Sequence, residues 1–444
     1  MIPSEPDAVA IYGAGKEAEA ALGYLAELEK PPRVVLLDDS PERARTLASR
    51  HPIAEAAERL DDLARADLLL RAPSVRPEHA AQAWAKANGA PCTTFTGWWL
   101  SRHRDRVAAT VTGTKGKSTT TVLLAKLLTE AGRPTRAAGN LGVPPRIEDL
   151  GPRESVVLEM SSYQLHDAPA AAPVHLVTNL FHEHLDWHGG AEPYWRAKFS
   201  PLEIDPACVG VLRARDVKLL GEGMPNRIER IGDVALVDED GMVLSLGGRR
   251  VEQRFPVGVA PAGVRRMNFA AALAAAAVTE KASLEALADA AVRVASAFPD
   301  LPSRQHVIGT FAGRIWIDDA LATIPEATLA ALERWKDAPV RLIVGGKDRG
   351  VDLSTLAEGL RARADVTVHG YAETGERLAQ LLARPEVYAV RSLESAIADA
   401  FAASAPGDVI LFSPAAATPE PGWSYEQRSQ AFRRMAEELA KGGK

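Results

Sequence analysis

Only two cysteines, Cys92 and Cys208, occur in 444 residues, too few for a disulfide framework and in keeping with a reducing compartment. There is no basic excess: the formal net charge is −6, so little is available to neutralise a phosphate backbone, and nucleic acid is not expected as the main partner. No apolar run reaches membrane-spanning length, even in the Ala-rich parts, so no membrane partner is expected. Residues 1–15 lack the basic start and apolar stretch of a secretory signal, and a cytoplasmic location is the expectation. Internal repeats of fixed period and long low-complexity tracts are missing as well. The composition that remains, 46% hydrophobic and 25% charged, is that of a globular chain with ample core, and its length favours about three domains.

Short apolar runs alternate with helical patterns through most of the chain, which predicts an α/β fold with largely parallel sheets. In residues 1–105 the runs 8–12, 33–37 and 66–71 read as strands, and the first leads into Gly13-Ala14-Gly15-Lys16-Glu17-Ala18. That turn satisfies a dinucleotide-type glycine pattern, with Asp38 and Asp39 about twenty residues on. The same backbone amides would serve a uridine diphosphate group, and the aspartates could equally form a strand-end turn without a ligand. Residues 106–302 hold strand-like runs at 155–159 and 174–179, a Gly-rich β region over 207–260 that reads as an insertion, and an Ala-rich helix opening at Met267-Asn268. From residue 303 to 444 the alternation resumes, with strands at 315–317, 340–344, 366–368 and 409–412 and a charged helix over 426–441. Leu301-Pro302 marks the boundary, and three α/β modules in a row are predicted.

Gly113-Thr114-Lys115-Gly116-Lys117-Ser118-Thr119 joins the run 106–111 to a helix-patterned stretch ending at Gly132. Amides of such a loop and the helix start form a nest for phosphate oxygens, with Lys117 reaching the terminal phosphates and the Ser118 hydroxyl suited to Mg²⁺. Val111 stands where the usual pattern has its first glycine, so the loop is a shortened variant. Other polar clusters also follow apolar strands: Glu159, 182–186, Asp319, 345–348 and 413–418. Ligands of open α/β sheets bind beyond the strand carboxyl ends. Glu159 suits a nucleotide-bridging Mg²⁺, although a carboxylate at a strand end is as often a cap. The stretch 178–188 is His-rich, yet its spacing is not that of a zinc helix. Lys198 lies in a helical pattern, where a lysine ordinarily belongs to a solvated face.

The phosphate loop, Gly139-Asn140-Leu141-Gly142, the run 158–164 (LEMSSYQ), 179–186 (NLFHEHLD), 194–198 (YWRAK), Met267-Asn268, 301–304 (LPSR) and 413–415 with 426–428 together resemble the Mur ligases in order and spacing, over nearly the whole chain. Within that family the MurD type is most similar. The resemblance implies three domains: an N-terminal Rossmann-like domain (1–105), a central P-loop ATPase-like domain (106–302) and a C-terminal Rossmann-like domain (303–444). It implies a monomer that uses ATP and Mg²⁺ to join glutamate to UDP-N-acetylmuramoyl-L-alanine through an acyl phosphate, in peptidoglycan precursor synthesis. By motif, Lys117, Asn140, His184 and Lys198 would be catalytic, and Ser118, Glu159, His184 and a carbamylated Lys198 would hold magnesium. Asn268 would contact adenine, Arg304 the γ-phosphate and Asp319 the ribose. Gly13, Gly15, Lys16, Asp38, Asp39 and Ser74 would hold the uridine nucleotide, with Thr323, Lys347, Ser413, Thr418 and Tyr425 for the remaining substrate contacts.

One departure bears on the amino acid. Members that add D-glutamate read Asn-Asp-Ser-Lys-Ala-Thr-Asn at the start of the last module, whereas this chain reads Asp318-Asp319-Ala320-Leu321-Ala322-Thr323-Ile324. Loss of the lysine opposite a desolvated carboxylate costs on the order of 2–5 kcal/mol, so glutamate would be held differently. A related group adds L-glutamate to the same nucleotide sugar, and the altered segment looks similar to it; D-glutamate is the alternative. Two readings from other classes stand beside the ligase. A nicotinamide-dependent oxidoreductase would use the Gly13 turn and Asp38 but leave the phosphate loop and Glu159 idle, and a non-catalytic ATP-binding partner would bind nucleotide without releasing phosphate.

Overall fold

A computed structural model describes residues 2–63, 66–142, 149–220, 227–256, 259–261, 263–279, 283–297, 302–383, 387–390, 392–418 and 424–442. Two compact units make up the chain, Met1–Pro261 with Arg266–Ala297 and Ala262–Arg265 with Phe298–Lys444.

The first sheet contains β1 (Ala8–Tyr12), β2 (Arg33–Leu37), β3 (Ala54–Ala56), β4 (Leu68–Arg71) and β5 (Cys92–Thr93). All are parallel, in the order β3-β2-β1-β4-β5. The chain reverses its direction of growth between β1 and β4, which is where a doubly wound sheet opens its ligand crevice. Gly13 leaves β1 at that point and Ala72 leaves β4. A Cβ on Gly13 (φ +99°) would lie 2.6 Å from the Cβ of Ala72, so the two loops meet too closely for any side chain there.

The second sheet of the same unit is built from β6 (Val107–Thr112), β7 (Thr135–Gly139), β8 (Ser155–Glu159), β9 (Val174–Val177), β10 (Val209–Leu212) and β11 (Ile228–Arg230). It is parallel with order β11-β10-β9-β6-β8-β7, and its switch point lies between β6 and β9. β6 and β8 are buried along their whole length, and the polar residues they carry are buried with them, as where Thr110 Oγ1 meets His175 Nδ1 at 2.8 Å. One buried apolar cluster runs from Val9 and Val34 through Trp98 and Trp99 to Val107, Val156 and Leu158, so the two sheets share a core. The expected β insertion over 207–260 is smaller than the glycine pattern suggests. β10 and β11 extend the parallel sheet, and only β12 (Ala235–Val237), β13 (Gly241–Leu246) and β14 (Arg249–Arg254) form a separate antiparallel sheet. Local turn chemistry does not reveal which sheet a short strand joins. The Ala-rich helix spans Gly263–Thr279, so Met267 and Asn268 lie one turn inside it.

In the second unit β15 (His306–Phe311) pairs antiparallel with β16 (Arg314–Asp318). The parallel strands β17 (Val340–Gly345), β18 (Val366–Tyr371), β19 (Val387–Val390) and β20 (Val409–Phe412) complete the order β15-β16-β20-β17-β18-β19. Leu301, part of the expected boundary, lies outside the described residues.

Candidate active site

β6 delivers the phosphate loop, and its glycines are dictated by what surrounds them. Gly113 has φ +140°, and a Cβ there would sit 2.0 Å from Thr178 Oγ1; at Gly116 (φ +80°) it would sit 2.4 Å from Asn268 Oδ1. The loop is therefore moulded against the end of β9 on one side and the Ala-rich helix on the other. Asn179 fixes it from β9, accepting from Thr114 N through its carbonyl at 2.8 Å and from Lys115 N through Oδ1 at 2.9 Å. Thr114 Oγ1 meets the Tyr194 hydroxyl at 2.9 Å and accepts from Phe181 N. The helix Lys117–Glu130 starts directly behind the loop, so its first amides and those of the loop form an anion-binding arrangement.

Cations gather here. Lys117 Nζ donates to the carbonyls of Gly113 (3.0 Å) and Thr114 (2.9 Å), a pose that folds it over the loop. Lys198 is only 2% exposed and donates to the Gly113 carbonyl at 2.9 Å. Its helix, Ala191–Ile204, turns it inward, contrary to the solvated face that the local pattern suggests. Burial, reinforced by Lys117, pulls its amine well below the ordinary lysine range. Lys115 pairs with Glu183 at 2.8 Å, and this charge helps hold the Glu183 carboxyl down at about 2 despite burial.

The anionic side is supplied by Glu159, at the end of β8 and 1% exposed. Its Oε1 accepts from Asn140 Nδ2 at 2.8 Å, while its buried Oε2 has no hydrogen-bond partner. A buried carboxylate oxygen left unmatched is costly, and a cation or a hydrogen-bond donor at this point would satisfy it. Ser118, 6% exposed, opens the helix behind the loop. Among the described residues no three His, Cys, Asp or Glu side chains converge on one point. One buried carboxylate with a serine at the nearby helix start is a donor set that fits Mg²⁺, which takes one or two carboxylates and completes its shell with phosphate oxygens and water.

His184 has φ +57°, an uncommon conformation for a residue with a side chain, adopted where it caps the short helix Leu185–His188. Its ring packs 4.9 Å from that of Tyr163. Burial, opposed by Glu183 and aided by the lysines, lowers its pKa and favours the neutral imidazole.

The other expected positions fall into two groups. At the crevice of the first sheet, Asp38 accepts from Ala14 N at 2.7 Å and from Ser40 N at 2.8 Å, so it braces the Gly13–Gly15 turn. Asp39 is 80% exposed at its side chain and accepts from the Tyr12 hydroxyl at 2.6 Å. Lys16 and Gly15 border a cavity of about 410 Å³ together with Arg43 and Arg50, and Ser74 offers its carbonyl to Trp187 Nε1 at 3.1 Å.

In the second unit, Arg304 is flanked by Ser303 (φ +59°) and Gln305 (φ +50°), a strained pair of neighbours. Asp319 is buried with both oxygens engaged, by Gln305 N (3.1 Å) and Ser413 Oγ (2.8 Å), and burial lifts its pKa to about 7. Lys347 is bridged to Ala417, next to Thr418. Arg428 donates to the carbonyls of Ala320 and Ala416, which gathers the loops after β16 and β20. Thr323 lies just beyond the first of these loops, and Tyr425 opens the last helix, Tyr425–Gly442. Sequence reasoning does not single out Glu183 as the partner of Lys115, nor Tyr194 as a loop contact; no local signal distinguishes them from solvated neighbours.

A glycine-bearing loop at the end of a parallel strand, with an unmatched buried carboxylate and three lysines around it, is an arrangement suited to holding phosphate groups. Residues 111–217 match the family model described as Mur ligase middle domain, and residues 303–416 match Mur ligase, glutamate ligase domain. Over 97% of its length the chain is 35% identical to a Micromonospora sp. protein, covering 97% of that protein, and 33% identical to one from Salinispora tropica, covering 98% of it. Both are named UDP-N-acetylmuramoyl-L-alanine–L-glutamate ligase. The fold is similar to UDP-N-acetylmuramate-alanine ligase MurC from Thermotoga maritima, with a TM-score of 0.58 at 18% identity, 99% of this chain and 100% of that one being covered. It is likewise similar to the MurF ligase of Thermotoga maritima in complex with ADP, with a TM-score of 0.55 at 17% identity over 99% of this chain and 98% of that one. The chain belongs to the Mur ligase family and is an ATP-dependent ligase.

Proposed function

We propose that the chain joins L-glutamate to UDP-N-acetylmuramoyl-L-alanine, converting ATP to ADP and phosphate. The alanyl carboxylate attacks the γ-phosphorus, ADP departs, and the glutamate amine displaces phosphate from the resulting acyl phosphate, losing a proton as the amide forms. The observation that carries the reaction type is the pairing of the Lys117 loop with the unmatched Glu159 oxygen. Both stages place anions beside anions, which calls for preorganised cations rather than a covalent nucleophile.

In this reading Lys117 turns from the loop carbonyls to the terminal phosphates, and Gly113 to Thr119 supply amides and hydroxyls. Ser118 and Glu159 would hold one Mg²⁺, and His184 with Lys198 a second; the ion supplies charge neutralisation on the phosphates. A lysine kept neutral by burial is the form that takes up carbon dioxide, which supports carbamylation of Lys198. Asn140 and His184 approach the transferred phosphate, and Asn268, against Gly116, is assigned to the adenine side. Arg304 and Asp319 are assigned to the γ-phosphate and ribose. Gly13, Gly15, Lys16, Asp38, Asp39 and Ser74 belong to the uridine nucleotide site, with Asp38 acting through the turn it braces. Thr323, Lys347, Ser413, Thr418 and Tyr425 are assigned to the remaining substrate contacts. Domain limits of 1–105, 106–302 and 303–444, a monomeric state and a cytoplasmic location complete the proposal; among the described residues no helix is long and apolar enough to cross a membrane.

Leu321 in place of a lysine, together with the names of the relatives, supports the L enantiomer. Phosphate release measured with UDP-N-acetylmuramoyl-L-alanine and each glutamate enantiomer separately tests this. A preference for D-glutamate would overturn the stereochemical assignment and leave the ligase reading intact.

A further inference from the structure

Arg71 closes β4, a strand otherwise made of leucines, and its side chain has no exposed surface. An arginine has five N–H donors, and here each has an acceptor. Nε donates to Asp167 Oδ2 at 2.6 Å, and Nη2 donates to Asp167 Oδ1 at 2.9 Å and to the Tyr163 carbonyl at 2.7 Å. Nη1 donates to the carbonyls of Ala72 at 3.3 Å and Pro73 at 3.2 Å. The guanidinium also lies 5.7 Å from the centre of the Trp187 ring, whose own Nε1 donates to the Ser74 carbonyl.

The acceptors come from two places with different tasks. Ala72 to Ser74 form the loop at the switch point of the first sheet. Tyr163 and Asp167 belong to or closely follow the short helix Ser162–Leu165, whose capping box at Ser161 starts two residues after Glu159. Gln164 of that helix donates to Glu17 Oε1 at 2.5 Å, a second link to the Gly13 turn side. A planar, always-charged fork satisfies this set of acceptors, whereas the three donors of a lysine do not.

We propose that Arg71 is a positioning residue that clamps the Ala72–Ser74 loop to the segment carrying Glu159, and so sets where the substrate carboxylate arrives relative to the phosphate loop. This rests on the functional reading above, because the loop is taken to hold the nucleotide sugar. Arg71→Lys keeps a charge but loses the fork. It is expected to raise KM for UDP-N-acetylmuramoyl-L-alanine tenfold or more and to leave KM for ATP within twofold. Asp167→Asn, which keeps the shape and one acceptor, is expected to give a smaller shift in the same direction, and it serves if Arg71→Lys folds poorly. Hydrogen exchange, read without turnover, is expected to quicken at 72–76 and 163–167 together and to stay unchanged at 113–118. Equal rises in both KM values, or unchanged exchange at 72–76 in a folded variant, would overturn the proposal. Failure of the wild type to release phosphate would overturn the functional reading alone, since exchange still decides the clamp.

Discussion

Two loops of the first unit begin alike: a buried strand, a glycine with positive φ, and a helix start, each at the switch point of a parallel sheet. Gly113–Ser118 is enclosed. A Cβ at either of its glycines would strike a neighbouring side chain, its carbonyls are covered by Lys117 and Lys198, and Asn179 binds two of its amides. The Gly13–Lys16 turn is open at Gly15, where a Cβ would meet nothing within 4 Å, and its central amide is held by a carboxylate, Asp38. On the reading proposed above, the loop assigned to the polyphosphate carries its cations directly on its own carbonyls, whereas the turn assigned to the nucleotide sugar has an amide braced by an anion and its cations, Lys16, Arg43 and Arg50, set around the adjoining cavity. What the two have in common is a glycine of positive φ at the strand end, not a spacing, since Gly13 and Gly15 stand two residues apart and Gly113 and Gly116 three; the charge of the bracing groups separates the two loops.

The comparison would break most visibly at Lys117. Lys117→Ala is expected to lower phosphate release by roughly 10³-fold with no loss of thermal stability, the scale of removing a donor aimed at developing charge. Lys16→Ala in the other loop is expected to change KM for the nucleotide sugar only, and equal losses in the two variants would erase the distinction. Next in size, Glu159→Gln removes the anionic oxygen that has no protein partner. Turnover is expected to fall about 10²-fold, a loss comparable to that from deleting one transition-state contact. The Mg²⁺ concentration needed for half-maximal rate should rise. An unchanged magnesium titration would show that the cation lies elsewhere.

Much of the fold is legible in the order of residues alone. The alternation of runs implies the α/β class, and β1, β2, β8, β17 and β20 begin and end within a residue of the apolar runs. The phosphate loop is legible because steric demand on glycine is local and leaves a pattern. Lys198 is not, because its burial depends on how a helix packs against β6 and β9, and YWRAK alone is compatible with a solvated face. Asp38 is half legible: its position suits the crevice, yet only the fold shows that it turns back on the Ala14 amide. Arg71 carries a signal that strand patterning overlooks, since a charged residue ending an all-leucine strand must be either at the surface or fully paired.

Asp38→Ala tests the open loop. It frees the Ala14 and Ser40 amides from a charged acceptor, a change worth about 1.5–3 kcal/mol per bond to a charged group in full, of which water entering the space left by this buried side chain returns a part. KM for the nucleotide sugar is expected to rise about tenfold with KM for ATP unchanged, by the same free-energy scale. A larger effect on ATP would mean that the two loops act as one.

The smallest effect concerns the enclosed loop's own charge balance. Glu183 titrates at about 2 in the folded protein, below its ordinary value of 4.5, with Lys115 the leading attractive charge. A depressed carboxyl contributes stability that is fully present above about pH 4.5, the unfolded value, and is lost as pH falls through the folded one. Glu183→Gln removes that contribution and leaves Lys115 without its anion. The variant should melt about one to two degrees below wild type at pH 7, a shift typical of roughly 1–2 kcal/mol in a chain this long. The gap should narrow between pH 4.5 and pH 2, because wild type loses in that window what the variant never had. A gap that stays constant with pH would assign the pair to packing rather than charge.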